Sequence, residues 1–173
     1  MFGIGEYVVY GMNGVCEVEA VGPMNMSGVD CEKEYYTLTP LYTKGSKVYT
    51  PVNNQKIVMR KVVDKDEAYE LIDEMTTIEE IQEENDKNRE LAYKEAIRSC
   101  DCREWIRVIN TVLKRKEERL AQGKKMSACD ERYLKSATDN LYGELAVSLN
   151  IEKNEVEEYI DNRRLVKEMA PAS

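Results

Sequence analysis

The sequence predicts an α+β chain, with a small antiparallel Tudor/SH3-like β-barrel in residues 1–64 and an all-α helical domain in residues 65–173. Two shifts along the chain predict it. β-Branched and aromatic strand formers dominate up to about residue 62, and apolar residues at helical spacing take over from Val63.

The strands come first. EYVVY, VCEVEAV, EYYTL, YTKGSKVYTPV and KIVMRKVV read as four or five short strands, punctuated by glycine and asparagine turns such as MNG and the loop NMSG. In VCEVEAV, Cys16, Val18 and Ala20 alternate with Val15, Glu17 and Glu19, so one face is expected in a core and the other in water. So few residues suit a small barrel. Pro51 has no N–H to donate, so its strand should end there or lie at an edge.

The helices follow. Asp64 or Asp66 is a suitable N-cap for DEAYELIDEM, whose Ala68, Leu71 and Ile72 share a face. Thr76 and Glu79 form a capping-box pattern, predicting a long helix through IEEIQEENDKNRELAYKEAI to Arg98. Asp101 can cap REWIRVINTVLKRKEERLA, which Gly123 would close. Ser127 and Asp130 open CDERYLKSATDNLYGELAVSL, a short helix spans 150–165, and APAS is a frayed tail.

Composition narrows the function. With 42% hydrophobic and 34% charged residues the chain has material for a core and none of the bias of a disordered segment. No apolar run approaches the ~20 residues needed to cross a bilayer, and MFGIGEYVVYGMNG has no basic n-region, so a soluble cytoplasmic protein without a membrane partner is expected. Five cysteines (Cys16, Cys31, Cys100, Cys102, Cys129) include no CxxC pair, and there is no histidine. Reduced thiols, no metal and no cofactor are expected. Ser-His and Cys-His catalysis is excluded within the chain, and no small-molecule substrate is implied.

Charge is distributed in blocks within a net charge of -8. Residues 67–86 carry nine acidic and no basic side chains, residues 87–135 have an excess of +6, and residues 136–173 sum to -4. The central belt reads either as solvated helix faces laced by i,i+4 pairs or as a phosphate-contacting patch, since phosphate responds to the local field. Trp105, Ile106, Ile109, Val112 and Leu113 fall on one stripe, which places the tryptophan inward as a core residue rather than on a base. Arg103, Arg107, Asn110 and Lys114 collect on the opposite, solvated back. One helix earlier, Lys87, Leu91, Lys94 and Arg98 lie within about 60° of one another, with Arg89 on another side.

Taken in order, GEYVVYGMNGVCEVEAV, EYYTLTPLY, SKVYTPV, MRKVV, ENDKNRE, YKEAI, DCREW, KRKEERLAQGKK, DERYLKSA and LYGELAVSLNI resemble the CarD/CdnL family of bacterial transcription regulators over nearly the whole length. The resemblance implies a Tudor-like N-terminal domain that binds the RNA polymerase β subunit. It also implies a helical domain that contacts promoter DNA at the upstream edge of the bubble and stabilises the open complex, without catalysis. On this basis the polymerase-binding residues are Met24, Val48, Tyr49, Thr50 and Pro51, and the DNA-binding residues are Lys87, Arg89, Lys94, Arg98, Lys124 and Lys125. The family has a tryptophan wedge where this chain reads EIQEEND, and Trp105 corresponds to a core position further on. The alternative is a polymerase-binding adaptor with weak or no direct DNA contact.

Overall fold

The computed structural model describes residues 1–170, and the chain divides into two compact units, Met1–Val62 and Val63–Ser173. The part of the APAS tail from Pro171 onward lies outside the described residues.

The first unit is a five-stranded antiparallel meander of the Tudor-like kind, built from β1 (Tyr7–Tyr10), β2 (Val15–Pro23), β3 (Glu34–Pro40), β4 (Val48–Pro51) and β5 (Met59–Lys61). The strand order is β4-β3-β2-β1-β5, so the last strand returns to pair with the first. A 3₁₀ turn over Gly11–Asn13 joins β1 to β2, and Gly14 closes it at φ 67, a backbone region that a side chain would strain. Val8, Tyr10, Cys16, Val18, Tyr36 and Leu38 form the core.

The expected alternation in β2 holds at Cys16 and Val18 but fails at Val15, which is buried although it was expected to face water, and at Ala20, which is exposed. A bulge between Val18 and Ala20 sets two residues against one on β3, so the inward set passes from Cys16 and Val18 to Val21. Burial pushes the Cys16 thiol up to about 11.

In the second unit, Asp64 caps α1 (Lys65–Glu74) in a reciprocal box with Glu67, each backbone N–H reaching the other carboxylate at 2.8 Å. The preceding Val63 is bound through both backbone groups to α4 (Ala128–Leu149). Its N–H donates to Glu144 at 2.9 Å and its carbonyl accepts from the Ser148 hydroxyl at 2.7 Å. Helices α2 (Asp86–Arg98), α3 (Cys102–Ala121) and α5 (Val156–Met169) complete the unit, with Asn85, Asp101 and Ser127 capping α2, α3 and α4.

Three expectations are corrected. Thr76 starts no helix: the chain is non-helical from Thr76 to Asn85, and α2 begins ten residues later, at Asp86. Like charges at i,i+4 (Glu79 with Glu83, Glu80 with Glu84) oppose a helix there, and side chains of α3 and α2 take up its backbone groups instead. The last helix starts at Val156 after a 3₁₀ turn over Lys153–Glu155, because Asn150 ends α4 in the left-handed region. On α3, Trp105 is buried as expected, with its indole N–H directed at the Ile97 carbonyl at 3.4 Å. Leu113, however, is 44% exposed and Val108 takes a fully buried place, since α3 is covered on the Thr111 flank as well as by α4.

Candidate partner edge and nucleic-acid interface

In the first unit, β4 occupies one end of the strand order. Opposed pairs Tyr36↔Thr50 and Leu38↔Val48, together with the Val52 N–H donating to the Glu34 carbonyl at 3.0 Å, fix the ladder phase. Val48 and Thr50 direct their backbone groups at β3, whereas Tyr49 and Pro51 direct theirs away from it. Pro51 has no N–H, so Tyr49 carries the outward donor at this end of the strand.

The five sequence-predicted contact residues therefore differ in what they can offer. Tyr49 is 45% exposed, Met24, Val48 and Pro51 are half-buried, and the Thr50 side chain is 2% exposed in the core. Val48 packs against the core cluster from its margin. The edge thus presents one aromatic side chain, one backbone donor and outward carbonyls, a geometry that accepts an added strand.

In the second unit, α2 exposes Lys87, Leu91, Lys94 and Arg98 along one ridge. Lys94 has Glu90 3.7 Å away, while Lys87 and Arg98 have no ion pair among the described residues. Lys87 and Arg98 are eleven residues apart, so roughly 16 Å of helix separates them.

Arg89 departs from the expected set. It is 5% exposed, donates to the carbonyls of Glu83 at 2.9 Å and Glu84 at 3.3 Å, and pairs with Asp86, so its guanidinium is engaged within the fold. Its helical position explains this, because Arg89 shares a face with buried Tyr93 and Ala96. That signal was present in the periodicity.

Lys87 instead faces a cleft of about 300 Å³ formed where the start of α2, the end of α3 and the start of α4 meet. Arg89, Arg115 and Arg119 also line it, with Ser127, Asp86, Glu90 and Asp130. Arg115 is committed to buried Asp130 at 3.0 Å, and Asp130 also accepts from the Tyr93 hydroxyl at 3.1 Å. Burial, then the adjacent Asp130 carboxylate, pushes the Tyr93 phenol well up from its ordinary range, so it stays a donor.

Arg119 connects this cleft to the next turn. Its Nε donates to the Lys125 carbonyl at 2.7 Å, and its carbonyl accepts from the Lys124 N–H at 2.8 Å. The Gly123 N–H reaches the Leu120 carbonyl at 3.0 Å, so the helix ends in a Schellman motif with Gly123 at φ 71. That closure holds exposed Lys124 and Lys125 beside Arg119, and neither lysine has an ion pair among the described residues.

The structure thus forms a basic corner around Arg119, which lines one cleft with Lys87 and is hydrogen-bonded to the turn that carries Lys124 and Lys125, and it leaves Lys94 and Arg98 further along α2. Arg119 escaped the sequence reading, although a cation four residues before a helix-closing glycine is a recognisable signal.

Among the described residues no cluster of ligating side chains could hold a metal ion, and no helix is long and apolar enough to cross a membrane. Two family models match the chain: CarD-like/TRCF RID domain over residues 2–63, and CarD, C-terminal domain over residues 67–161. No curated protein matches it. The two matches follow one another in the order of the two units and take in most of the sequence, so the chain belongs to the CarD/CdnL family of RNA polymerase-interacting transcription regulators.

Proposed function

We propose that the first unit docks on the polymerase β subunit by adding the β4 edge to a strand of the partner, while the helical unit contacts promoter DNA through backbone phosphates and favours the open complex. The observation that carries the DNA part is the basic corner, where exposed, unpaired Lys87, Lys124 and Lys125 adjoin Arg119 in an otherwise acidic protein. Phosphate contacts of this kind position a protein without reading bases, so the expected binding is non-sequence-specific. An effect on opening then requires tighter binding to one DNA shape than another.

A second reading is a polymerase-binding adaptor whose helical unit engages DNA weakly or not at all. It is favoured by Glu83, Glu84 and Asp86, which stand exposed where the family resemblance places an aromatic wedge. Footprinting polymerase on a promoter with and without the full chain separates the two. The regulator extends protection at the upstream bubble edge, and the adaptor leaves the footprint unchanged.

A further inference from the structure

The non-helical segment that joins α1 to α2 lies along the back of α3, and two kinds of contact hold it there. The first kind is neutral or buried. Asn110 donates to the carbonyls of Met75 and Ile78 at 2.9 Å each, the Ile81 N–H donates to the Thr111 hydroxyl at 2.8 Å, and buried Arg89 holds the carbonyls of Glu83 and Glu84. The second kind is charged and solvent-facing. Glu80 is 3.6 Å from Lys114, and Arg107 donates to the Glu79 carbonyl at 3.3 Å while pairing with Glu104 at 3.1 Å; just before the segment, Glu74 at the end of α1 is 2.6 Å from Arg103.

The two layers behave differently toward a polyanion. Exposed ion pairs are weak and screened by salt, so phosphates compete with them easily. Hydrogen bonds from Asn110 and Thr111 carry no net charge, and added salt does not loosen them in that way. The strap therefore stays in place while it keeps the Glu80 carboxylate beside Lys114, puts Glu83 and Glu84 in the cleft that Lys114 and Arg115 also line, and leaves exposed Glu79 bound to Arg107 through its carbonyl, so four acidic residues adjoin cations that would otherwise form a second track for a phosphate backbone.

We infer that the acidic strap is an electrostatic shield that closes the back of α3 to nucleic acid and confines a duplex to the corner of Lys87, Arg119, Lys124 and Lys125. This rests on the DNA reading above and adds the determinant of docking geometry. Phosphate contacts alone do not distinguish one basic face from another, so repulsion at the wrong face adds selectivity for a single orientation. It also gives the acidic block beside the basic belt a physical role.

The test uses the full chain and a fluorescent promoter-length duplex, with binding followed by anisotropy over a salt series. In a Glu79→Gln, Glu80→Gln, Glu83→Gln, Glu84→Gln variant, affinity at about 50 mM salt should rise about tenfold and the log–log salt slope should steepen by roughly 1 to 2. Adding Arg107→Gln and Lys114→Gln in the same background should remove both gains. Protection of the Ile81 amide from hydrogen exchange reports that the strap is still seated.

Wild-type affinity and slope in the fourfold variant would overturn the inference. So would a gain that survives loss of Arg107 and Lys114, because it would reflect reduced net charge alone. If the wild-type chain binds no duplex at low salt and Lys87→Gln changes nothing, the DNA reading itself has failed, and the shield falls with it.

Discussion

The Ile81 N–H donates to the Thr111 hydroxyl at 2.8 Å, and that hydroxyl donates to the Arg107 carbonyl at 2.6 Å. A threonine that bonds back along its own helix thus uses its remaining capacity to hold a neighbouring segment that lacks secondary structure. Thr111→Val preserves the shape and leaves the Ile81 N–H without its acceptor. Unfolding stability should fall by about 1–3 kcal/mol in a denaturant titration, with faster exchange at the Ile81 amide. Unchanged stability and exchange would show that the strap is held elsewhere.

Arg89 and Lys87 lie two residues apart and should respond in opposite ways. Arg89→Ala removes a buried cation and the donors to two carbonyls, so it should destabilise the helical unit by about 2–3 kcal/mol. Lys87→Gln removes an exposed charge without an ion pair, so melting should be unchanged while the salt slope of duplex binding drops by about 0.9. A Lys87 variant with a lowered melting temperature would place that side chain in the fold instead.

Tyr49 and Thr50 divide the β4 edge in the same manner. Tyr49→Ala should weaken co-purification with polymerase and leave thermal stability within about 0.5 kcal/mol, because the ring is half exposed. Thr50→Ala opens a small gap in the core and should cost about 1 kcal/mol, with polymerase binding reduced only as far as the fold is. The assignment of the edge fails if Tyr49→Ala binds polymerase as well as the parent chain.

Local rules account for what the sequence made visible. Asp64, Asp101 and Ser127 are caps because a short oxygen-bearing side chain precedes an amphipathic run, and all three act as caps. Trp105 and the Ala68, Leu71, Ile72 face follow from period alone. The strap was illegible for a corresponding reason. Thr76 and Glu79 satisfy a local capping pattern, but the competing partners Asn110 and Thr111 lie about thirty residues away and appear only once α3 is placed. The polar back of α3 likewise reads as solvent-facing in the sequence, because nothing local signals a neighbour there. At the basic corner, Lys87, Lys124 and Lys125 could be named from the family resemblance. Their meeting around Arg119 depends on how α2, α3 and α4 converge, which no spacing along the chain encodes.

The contact between α1 and α5 has a pH dependence whose sign can be fixed. Arg163 donates to both oxygens of Asp73, at 2.9 and 3.0 Å, with its guanidinium carbon 4.1 Å from the centre of the Tyr69 ring. Hydrogen bonding from Arg163 is the main reason that the Asp73 carboxyl is held below its usual range. A carboxyl depressed in the folded state adds stability above its unfolded value, about 3.9, and loses it as pH falls through the folded value. Asp73→Asn should therefore be less stable than the parent by roughly 1 kcal/mol near neutrality, a modest figure because the pair is partly exposed. That gap should shrink as pH drops below about 4, since the parent then loses the same charge. Thermal melts of both chains across this range decide the point: a gap that stays constant down to about pH 2 would mean that the substitution acts through packing and not through the ion pair.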